Sequence, residues 1–200
     1  MLDAIRRCRS VGVFGGTFDP IHTGHLILAE RAWEELGLDA ILFMPAFVPP
    51  HKTAGRKIAS GADRIAMVAE AIEGIDHFAL TDLEIRREGV SYTVDSLEQI
   101  REECPDQRIV LLMGSDNARD FTSWMRADRI VELAEIAVWE RPGSYYWPEV
   151  FPDHMARKIS SPLLEISSTE LRGRVSAGRS IRFMTPDQVI SYIEKHGLYR

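Results

Sequence analysis

Residues 10–25, with the sequence SVGVFGGTFDPIHTGH, decide the fold of this chain. The first five residues form an apolar run typical of a buried strand, and Gly15 and Gly16 end it. His22 and His25 follow where a helical pattern begins, and their spacing lets both side chains face the same way. Because a helix N-terminus offers free N–H groups and a partial positive charge, this order of strand, turn and helix predicts a phosphate site.

The rest of the chain repeats this alternation of short apolar runs and helical patterns. Apolar runs predict further strands at residues 40–44, 78–85, 109–113, 135–139 and 163–166. Apolar spacing and cap signals predict helices at residues 24–36, 60–73, 93–103 and 129–134, and two more that begin near Ser167 and Thr185. Strands separated by helices imply βαβ crossovers, so the sequence predicts an α/β fold with a doubly wound, Rossmann-like and mainly parallel sheet.

Composition and charge limit the class of protein. Of the 200 residues, 45% are apolar and 27% are charged, so we expect a single globular domain over residues 1–200 with a C-terminal helical part at about 167–200. A net charge of −6 argues against a nucleic-acid-binding surface. The two cysteines form no disulfide framework, and no apolar run is long enough to span a bilayer. We therefore expect a cytoplasmic protein with no membrane partner.

Distinctive polar clusters follow the strands, at the edge of the sheet where ligands bind in this class of fold. The clusters lie at residues 15–25, 45–52, 114–116, 141–143 and 167–172. The clusters are found in the sequence without reference to the fold, and the predicted topology places all of them at one edge of the sheet. This agreement between two independent observations indicates one site built from distant segments.

Two histidines alone allow other interpretations. A His-x-x-His pair is often a satisfied surface pair, and zinc needs a third ligand that the sequence does not place convincingly. The dinucleotide-binding pattern Gly-x-Gly-x-x-Gly is absent from residues 12–20, GVFGGTFDP. Asp19 precedes Pro20 and is expected to shape the turn rather than to bind a metal ion.

The complete string carries more information than its two histidines. GGTFDPIHTGH at residues 15–25 resembles the GGxFDPxHxGH signature of the HxGH nucleotidyltransferase superfamily. ISSTELR at residues 166–172 resembles the second signature of that superfamily, ISSTxIR, with Leu171 in place of isoleucine. Further strings look like those of the bacterial nicotinate mononucleotide adenylyltransferases: PPHK at 49–52, SYT at 91–93, GSD at 114–116 and FTSW at 121–124. The resemblance covers nearly the whole chain; Ser96 stands where the family commonly has threonine, a change that affects no expected role.

The resemblance implies an enzyme of NAD biosynthesis that joins ATP to nicotinate mononucleotide and releases pyrophosphate. It implies that the motif residues His22, His25 and Arg172, together with Lys52, act in catalysis on the phosphates. The acceptor phosphate is already an anion at neutral pH, so no general base is needed. We expect Mg²⁺ to arrive with ATP, held by phosphates and water, because no pair of protein carboxylates stands out as a metal site.

The resemblance also implies two groups of binding residues. Those for ATP are Gly15, Gly16, Thr17, Phe18, His22, His25, Gly114, Asp116, Ser168, Thr169 and Arg172. Those for nicotinate mononucleotide are Thr93, Trp124, Met125 and Lys52. Trp124 is expected to stack on the pyridine ring, and the backbone N–H groups of Thr93 and Met125 to bind the carboxylate. An alternative role in a turn stays open for Asp116, as does helix capping for Ser168 and Thr169.

Three rival functions stay open at this stage, and so does the formation of a homo-oligomer. Another superfamily enzyme would use a pantetheine-phosphate or glycerol-phosphate acceptor, against which Trp124 and the SYT string argue. A second rival prefers the nicotinamide form of the acceptor. The third is a non-catalytic nucleotide sensor, against which the intact His22, His25 and Arg172 argue.

Overall fold

The structure, a computed structural model, describes residues 2–49, 58–140, 156–160, 162 and 164–200. Its strands are β1 (Ser10–Gly16), β2 (Ala40–Pro45), β3 (Phe78–Leu80), β4 (Arg108–Gly114), β5 (Glu135–Glu140) and β6 (Ala156–Ser160). Its helices are α1 (Thr23–Leu36), α2 (Gly61–Ile72), α3 (Leu83–Arg87), α4 (Thr93–Glu103), α5 (Ser115–Arg119), α6 (Ala127–Leu133), α7 (Ser168–Ser176) and α8 (Asp187–Lys195), with a short 3-10 helix at Phe121–Ser123. None of the helices in these described ranges combines the length and the apolar character that crossing a membrane requires.

The strands form one sheet in the order β3-β2-β1-β4-β5-β6, and neighbouring strands run parallel throughout. The chain moves outward from β1 to β3, returns to β4 beside β1, and moves outward on the other side. This is the doubly wound order, so the predicted fold class is confirmed. The direction of winding reverses between β1 and β4, and at that point a crevice opens outside the carboxyl ends of the strands.

Helices cover both faces of the sheet, because its strands are apolar on both sides. On one face, Val11 and Val13 of β1 pack with residues of α4 and α6 such as Leu97 and Ile130. On the other face, Phe14 of β1 packs in the cluster that contains residues of α1, α2, α7 and α8. The last two helices thus lie in the same layer as the first, although they come at the other end of the sequence.

Local sequence signals define the ends of three helices. Gly37 ends α1 in the left-handed conformation at φ 58°, which a glycine adopts without a steric penalty. The Ser60 hydroxyl accepts a hydrogen bond from the Asp63 amide at 3.0 Å and so caps α2. At the start of α7, Ser167 accepts a hydrogen bond from the amide of Glu170 at 3.2 Å.

Two strand predictions are wrong in their bounds or position. The strand predicted at 78–85 ends at Leu80, and the chain forms the short helix α3 from Leu83 onward. The last strand is not at 163–166 but at Ala156–Ser160, and the described residues 164–166 lie outside any strand. This edge strand buries only Ala156 and Ile159, so its sequence, ARKIS, lacks the continuous apolar run of a central strand.

The predicted cap of the last helix is also wrong. Thr185 does not cap α8, which begins at Asp187 after Pro186. Instead the Thr185 hydroxyl is buried and donates a hydrogen bond to the carbonyl of Ile21 at 2.8 Å. Pro186 occupies the N-cap position, so Thr185 lies one residue too early to cap the helix. The contact joins the entry to α8 to the loop between β1 and α1.

Candidate active site

The candidate site lies where the winding of the sheet reverses, at the carboxyl ends of β1 and β4. A cavity of about 200 Å³ opens there. Its lining includes Gly15, Gly16 and Thr17 at the end of β1, and Thr93 and Trp124 from the other half of the chain. Residues that the sequence assigned to two different ligands thus line one cavity.

His22 and His25 lie side by side at the start of α1. His22 is the N-cap residue, and its backbone N–H group donates a hydrogen bond to Nδ1 of the His25 ring at 3.2 Å. The two imidazole rings are stacked, with their centroids 3.6 Å apart. Among the described residues, buried Nδ1 of His22 has no hydrogen-bond partner. A buried polar atom without a partner is unusual in a folded protein and is typical of a place that a ligand completes.

Gly24 leaves the space that the His22 ring occupies. A Cβ atom at residue 24 would lie 3.0 Å from Nδ1 of His22, which is tighter than an ordinary contact. The sequence of the motif therefore has a steric reason, because the imidazole occupies the space that any larger residue at 24 would fill.

Burial controls the charge of His22. The residue is 7% exposed, and desolvation lowers its pKa to about 4. His22 is therefore neutral at pH 7 in the free protein. A neutral imidazole still carries one N–H donor, and a bound anion would stabilise its protonated form.

Phe18 supports the other histidine. Its ring centroid lies 5.1 Å from that of His25, in an edge-on arrangement. The same ring occupies the space above Gly16, where a Cβ atom would lie 2.8 Å from it. Phe18 also has a φ of 48°, a left-handed conformation that is rare for an aromatic residue. Such strain is found where the surrounding structure demands it, and here the result is a fixed imidazole.

Asp19 has a larger role than the turn residue that the sequence predicts. It is 3% exposed, and Oδ1 accepts hydrogen bonds from the Tyr199 hydroxyl at 2.8 Å and from the Ala59 amide at 3.1 Å. Oδ2 lies 3.6 Å from the Arg172 guanidinium. Burial, followed by the Asp19 charge, raises the pKa of Tyr199, so this hydroxyl stays a hydrogen-bond donor. One buried carboxylate thus joins the first loop to the end of the chain.

The ISSTELR segment is attached to the same loop. Arg172 donates to the Asp19 carbonyl and, through Nη2, to the Thr169 hydroxyl at 2.9 Å. The Ser168 hydroxyl donates to the carbonyl of Pro20 at 2.9 Å. Ser167 is the cap of α7, so the hydroxyls of Ser168 and Thr169 are not its cap. The two sequence motifs meet through these contacts, and the N-termini of α1 and α7 both lie against this loop.

Arg64 ties the loops after β1 and β2 together. It is 2% exposed and belongs to the buried face of α2. Its guanidinium donates to backbone carbonyls of Thr17 at 2.9 Å, Phe47 at 3.3 Å, Ala59 at 3.1 Å, and also Ala46. The bonds of a charged donor fix both loops on either side of the cavity.

The remaining predicted site residues have different surroundings. Gly114 ends β4, and Asp116 lies exposed in the first turn of α5. Met125 is 50% exposed and lines a second cavity of about 390 Å³, which shares Thr93 and Trp124 with the first. Lys52 lies outside the described residues.

Sequence reasoning missed the contacts of four residues, which are Arg64, Glu84, Ser96 and Tyr199. Arg64 carried one signal, since it falls on the face of α2 that also contains Met67, Val68 and Ala71. Glu84 and Tyr199 carried none, and Ser96 had been given no role although it is fully buried. Arg64 and Tyr199 bind residues far along the sequence, and Glu84 and Ser96 lie on two different helices, so no local pattern points to these contacts.

The described residues offer no ready-made metal centre. Within the described ranges, no group of three or more His, Cys, Asp or Glu side chains is placed to hold a metal ion. Asp19, the carboxylate of the first motif, already accepts hydrogen bonds from protein donors. The donor set therefore fits an anionic ligand better than a bare cation.

Comparisons with known proteins agree with this geometry. The cytidylyltransferase-like family model matches residues 13–174. The chain is 45% identical over 196 residues to a protein of Thermomicrobium roseum named "Probable nicotinate-nucleotide adenylyltransferase", covering 95% of this chain and 91% of that protein. A protein of the same name from Salinibacter ruber is 40% identical over 194 residues, covering 96% and 98%. Among solved structures, the nicotinic acid mononucleotide adenylyltransferase of Plasmodium falciparum complexed with NaAD has a TM-score of 0.79 at 24% identity, covering 96% and 97%, and shows the fold.

The buried neutral state of His22 predicts a pH dependence of stability. Its pKa is about 4 in the folded protein against an ordinary value of 6.5, so the unfolded chain takes up the proton first as the pH falls. The free energy of unfolding should be unaffected by this group above pH 6.5 and should lose about 2 kcal/mol to it by about pH 5. Urea unfolding of the wild type and His22→Asn at several pH values measures the difference. An equal loss in both proteins would contradict the assignment.

Proposed function

The chain belongs to the nicotinate-nucleotide adenylyltransferases of the cytidylyltransferase-like family, and on this premise we propose how its residues carry out the reaction. The enzyme transfers the adenylyl group of ATP to nicotinate mononucleotide and gives nicotinate adenine dinucleotide and pyrophosphate in NAD biosynthesis. The observation that supports our assignment of roles is the junction of the two motifs at Asp19, beside the cavity lined by Trp124 and Thr93.

The chemistry requires positioning rather than a covalent step. A phosphate oxygen of the mononucleotide attacks the α-phosphorus of ATP, a new P–O bond forms, and the bond to the β-phosphate breaks with pyrophosphate as the leaving group. The attacking oxygen is already anionic, so no protein base removes a proton. Catalysis then depends on holding two anions in line and on stabilising the charge that develops between them.

We assign the ATP phosphates to His22, His25 and Arg172. Both imidazoles lie at the N-terminus of α1, where a neutral ring can donate a hydrogen bond and free N–H groups favour an anion. The unpartnered Nδ1 of His22 supports this role. Arg172 lies in the first two turns of α7, where its guanidinium and the helix N-terminus would bind the same phosphates. Because Asp19 and Thr169 already hold the guanidinium, little further ordering is needed.

We assign the acceptor to the side of the cavity that Trp124 and Thr93 line. The indole would stack on the pyridine ring, and Trp124 itself packs on Phe121 with ring centroids 5.6 Å apart. Thr93 is the first residue of α4, where N–H groups have no acceptor within the helix. The backbone N–H groups of Thr93 and Met125 would donate to the two oxygens of a carboxylate. With an amide, one of these N–H groups would face the NH₂ group, which is also a donor, and both donors would lack an acceptor.

The other residues of the ATP site follow from their place at the sheet edge. Gly15, Gly16, Thr17 and Phe18 would let the nucleotide approach the end of β1, and Gly114 the end of β4. Asp116 would accept hydrogen bonds from ribose. The Ser168 hydroxyl donates its proton to Pro20, so its contact with phosphate would come from a backbone N–H group of α7. The Thr169 hydroxyl accepts from Arg172 and would keep its proton for a phosphate oxygen. Lys52 would supply a further cation for the phosphates of either substrate.

The divalent metal that accompanies ATP in these enzymes enters as part of the nucleotide substrate. We propose Mg²⁺ bound by phosphates and water. We further propose that residues 1–200 form one catalytic unit, to which the helical part at about 167–200 contributes ISSTELR. The net charge of −6 supports small-molecule substrates rather than nucleic acid as partners. We place the enzyme in the cytoplasm and leave a homo-oligomer to experiment.

The choice of acceptor tests the proposal most simply. We expect pyrophosphate release from Mg·ATP with nicotinate mononucleotide, weak release with nicotinamide mononucleotide, and none with phosphopantetheine. A coupled assay of pyrophosphate, with each acceptor supplied separately, measures this. Activity with phosphopantetheine alone would keep the ATP site and overturn the roles of Thr93 and Trp124. Binding of ATP without release from any acceptor would favour a nucleotide sensor.

The roles of the two sites predict different kinetic effects. His22→Ala or His25→Ala should lower kcat by roughly 10²–10³, because each removes a donor to charge that develops in the transition state. Trp124→Ala should mainly raise the KM for nicotinate mononucleotide and leave the KM for ATP unchanged. Steady-state kinetics in both substrates separates these effects. Near-normal turnover of both histidine variants would overturn the phosphate assignment, and a rise confined to the KM for ATP would overturn the stacking role.

A further inference from the structure

A buried glutamate lines the same cavity as Thr93 and Trp124, and the reaction described above does not use it. Glu84 of α3 is 4% exposed. Its carboxylate accepts a hydrogen bond from the Ser96 hydroxyl at 2.6 Å, and the nearby Ser91 hydroxyl also favours its charged form. Buried carboxylates are costly and occur where hydrogen bonds satisfy them.

The two serines connect Glu84 to neighbouring segments. The Ser91 hydroxyl accepts a hydrogen bond from the Phe47 amide at 2.8 Å, and the Ser91 amide donates to the carbonyl of Val48 at 3.0 Å. The Ser96 hydroxyl accepts a hydrogen bond from the Arg87 guanidinium at 3.1 Å. The carboxylate thus joins the loop after β2, the SYT string and the first two turns of α4.

This network has a fixed direction. A carboxylate only accepts hydrogen bonds, so the Ser96 hydroxyl donates to Glu84 and uses a lone pair for Arg87. The Ser91 hydroxyl accepts from Phe47 and so has its proton available for the same carboxylate. A glutamine at this position would present an NH₂ group to one serine. That serine would then lose its acceptor on residue 84, and for Ser96 the remaining acceptor, the Tyr92 carbonyl, lies 3.5 Å away. Burial raises the pKa of Glu84 and the Ser96 and Ser91 hydroxyls oppose this rise, so its partners favour the anion.

The anchored serines flank the amide that the proposed function gives to the acceptor's carboxylate. Ser91 comes two residues before Thr93 and Ser96 three residues after it. Ser96 donates a hydrogen bond to Glu84, and Ser91 lines the same cavity as this carboxylate. We propose that Glu84 is a positioning residue of the acceptor site, which fixes the N-terminus of α4 and thereby sets the preference for a carboxylate over an amide on the pyridine ring. This inference rests on the proposed function, since it acts on the choice between the two mononucleotides.

A purely structural role for Glu84 makes a different prediction. If the network only stabilised the fold, its loss would lower the free energy of unfolding and would affect both acceptors and ATP alike. If the network positions the Thr93 amide, its loss should lower kcat/KM mainly for nicotinate mononucleotide. The two oxygens of a carboxylate use both backbone N–H donors, whereas an amide cannot. The ratio of kcat/KM for nicotinate mononucleotide to kcat/KM for nicotinamide mononucleotide distinguishes the two roles.

The first test compares Glu84→Gln with the wild type, and Glu102→Gln is the matched control. Glu102 lies exposed on α4, so its change removes one negative charge near the same helix without touching the network. We expect Glu84→Gln to lower the ratio by about tenfold or more, with the KM for ATP unchanged, and the control to keep the wild-type ratio. An unchanged ratio in folded Glu84→Gln would overturn the inference, as would an equal fall in the control.

Two variants at Ser96 make the same test if Glu84→Gln does not fold. Ser96→Ala removes one hydroxyl that donates to Glu84 and should lower the ratio by a smaller factor. Ser96→Thr keeps a hydroxyl at that position and should keep the wild-type ratio of the two kcat/KM values. A ratio that is the same in Ser96→Ala and Ser96→Thr would contradict the inference, and urea unfolding of each variant gives its stability independently.

The wild-type ratio distinguishes a failure of the proposed function from a failure of the role of Glu84. If the wild type shows no preference for the acid, or uses another acceptor, the proposed function fails and the inference fails with it. If the wild type prefers the acid and the Glu84 and Ser96 variants keep that preference, only the inference is overturned.

Discussion

The buried carboxylate of Asp19 is the interaction on which the candidate site depends. Oδ1 accepts hydrogen bonds from Tyr199 and from the Ala59 amide, and Oδ2 faces the guanidinium of Arg172. These groups come from three separate parts of the chain. A buried charge must find such partners, since it is expensive to leave unpaired, and the need to satisfy it draws those parts together. Arg64 is also close enough for the Asp19 charge to raise its pKa against the lowering effect of burial.

The consequence is that two helix N-termini converge on one loop. α1 begins at the histidine pair and α7 begins beside Arg172, and the loop between β1 and α1 contacts both. Each N-terminus favours an anion, and their convergence would bind a polyphosphate along its length. The fold therefore builds the site before a ligand arrives, and a site organised in advance loses less freedom when the substrates bind.

Much of this was readable from the sequence, and the reason differs between elements. The central strands and longer helices follow from local patterns: Gly37, Ser60 and Ser167 act within a few residues of their own position. The shared edge of the sheet follows from topology alone. β6 was misplaced because an edge strand needs few apolar residues. Thr185 was misassigned because the helix begins one residue later than its cap signals indicate, and its hydroxyl binds a carbonyl far along the sequence. Polar residues buried by tertiary contacts, Glu84 among them, show no periodic signal.

We propose that the Asp19 carboxylate organises the phosphate side of the site. Calorimetric titration of Asp19→Asn with a non-hydrolysable ATP analogue and Mg²⁺ tests this role, with nicotinate mononucleotide titrated in parallel. We expect the affinity for the ATP analogue to fall by about tenfold or more, because Arg172 loses its charged partner, while the affinity for the mononucleotide changes little. An unchanged affinity for the ATP analogue in the folded variant would show that Asp19 does not organise this side of the site.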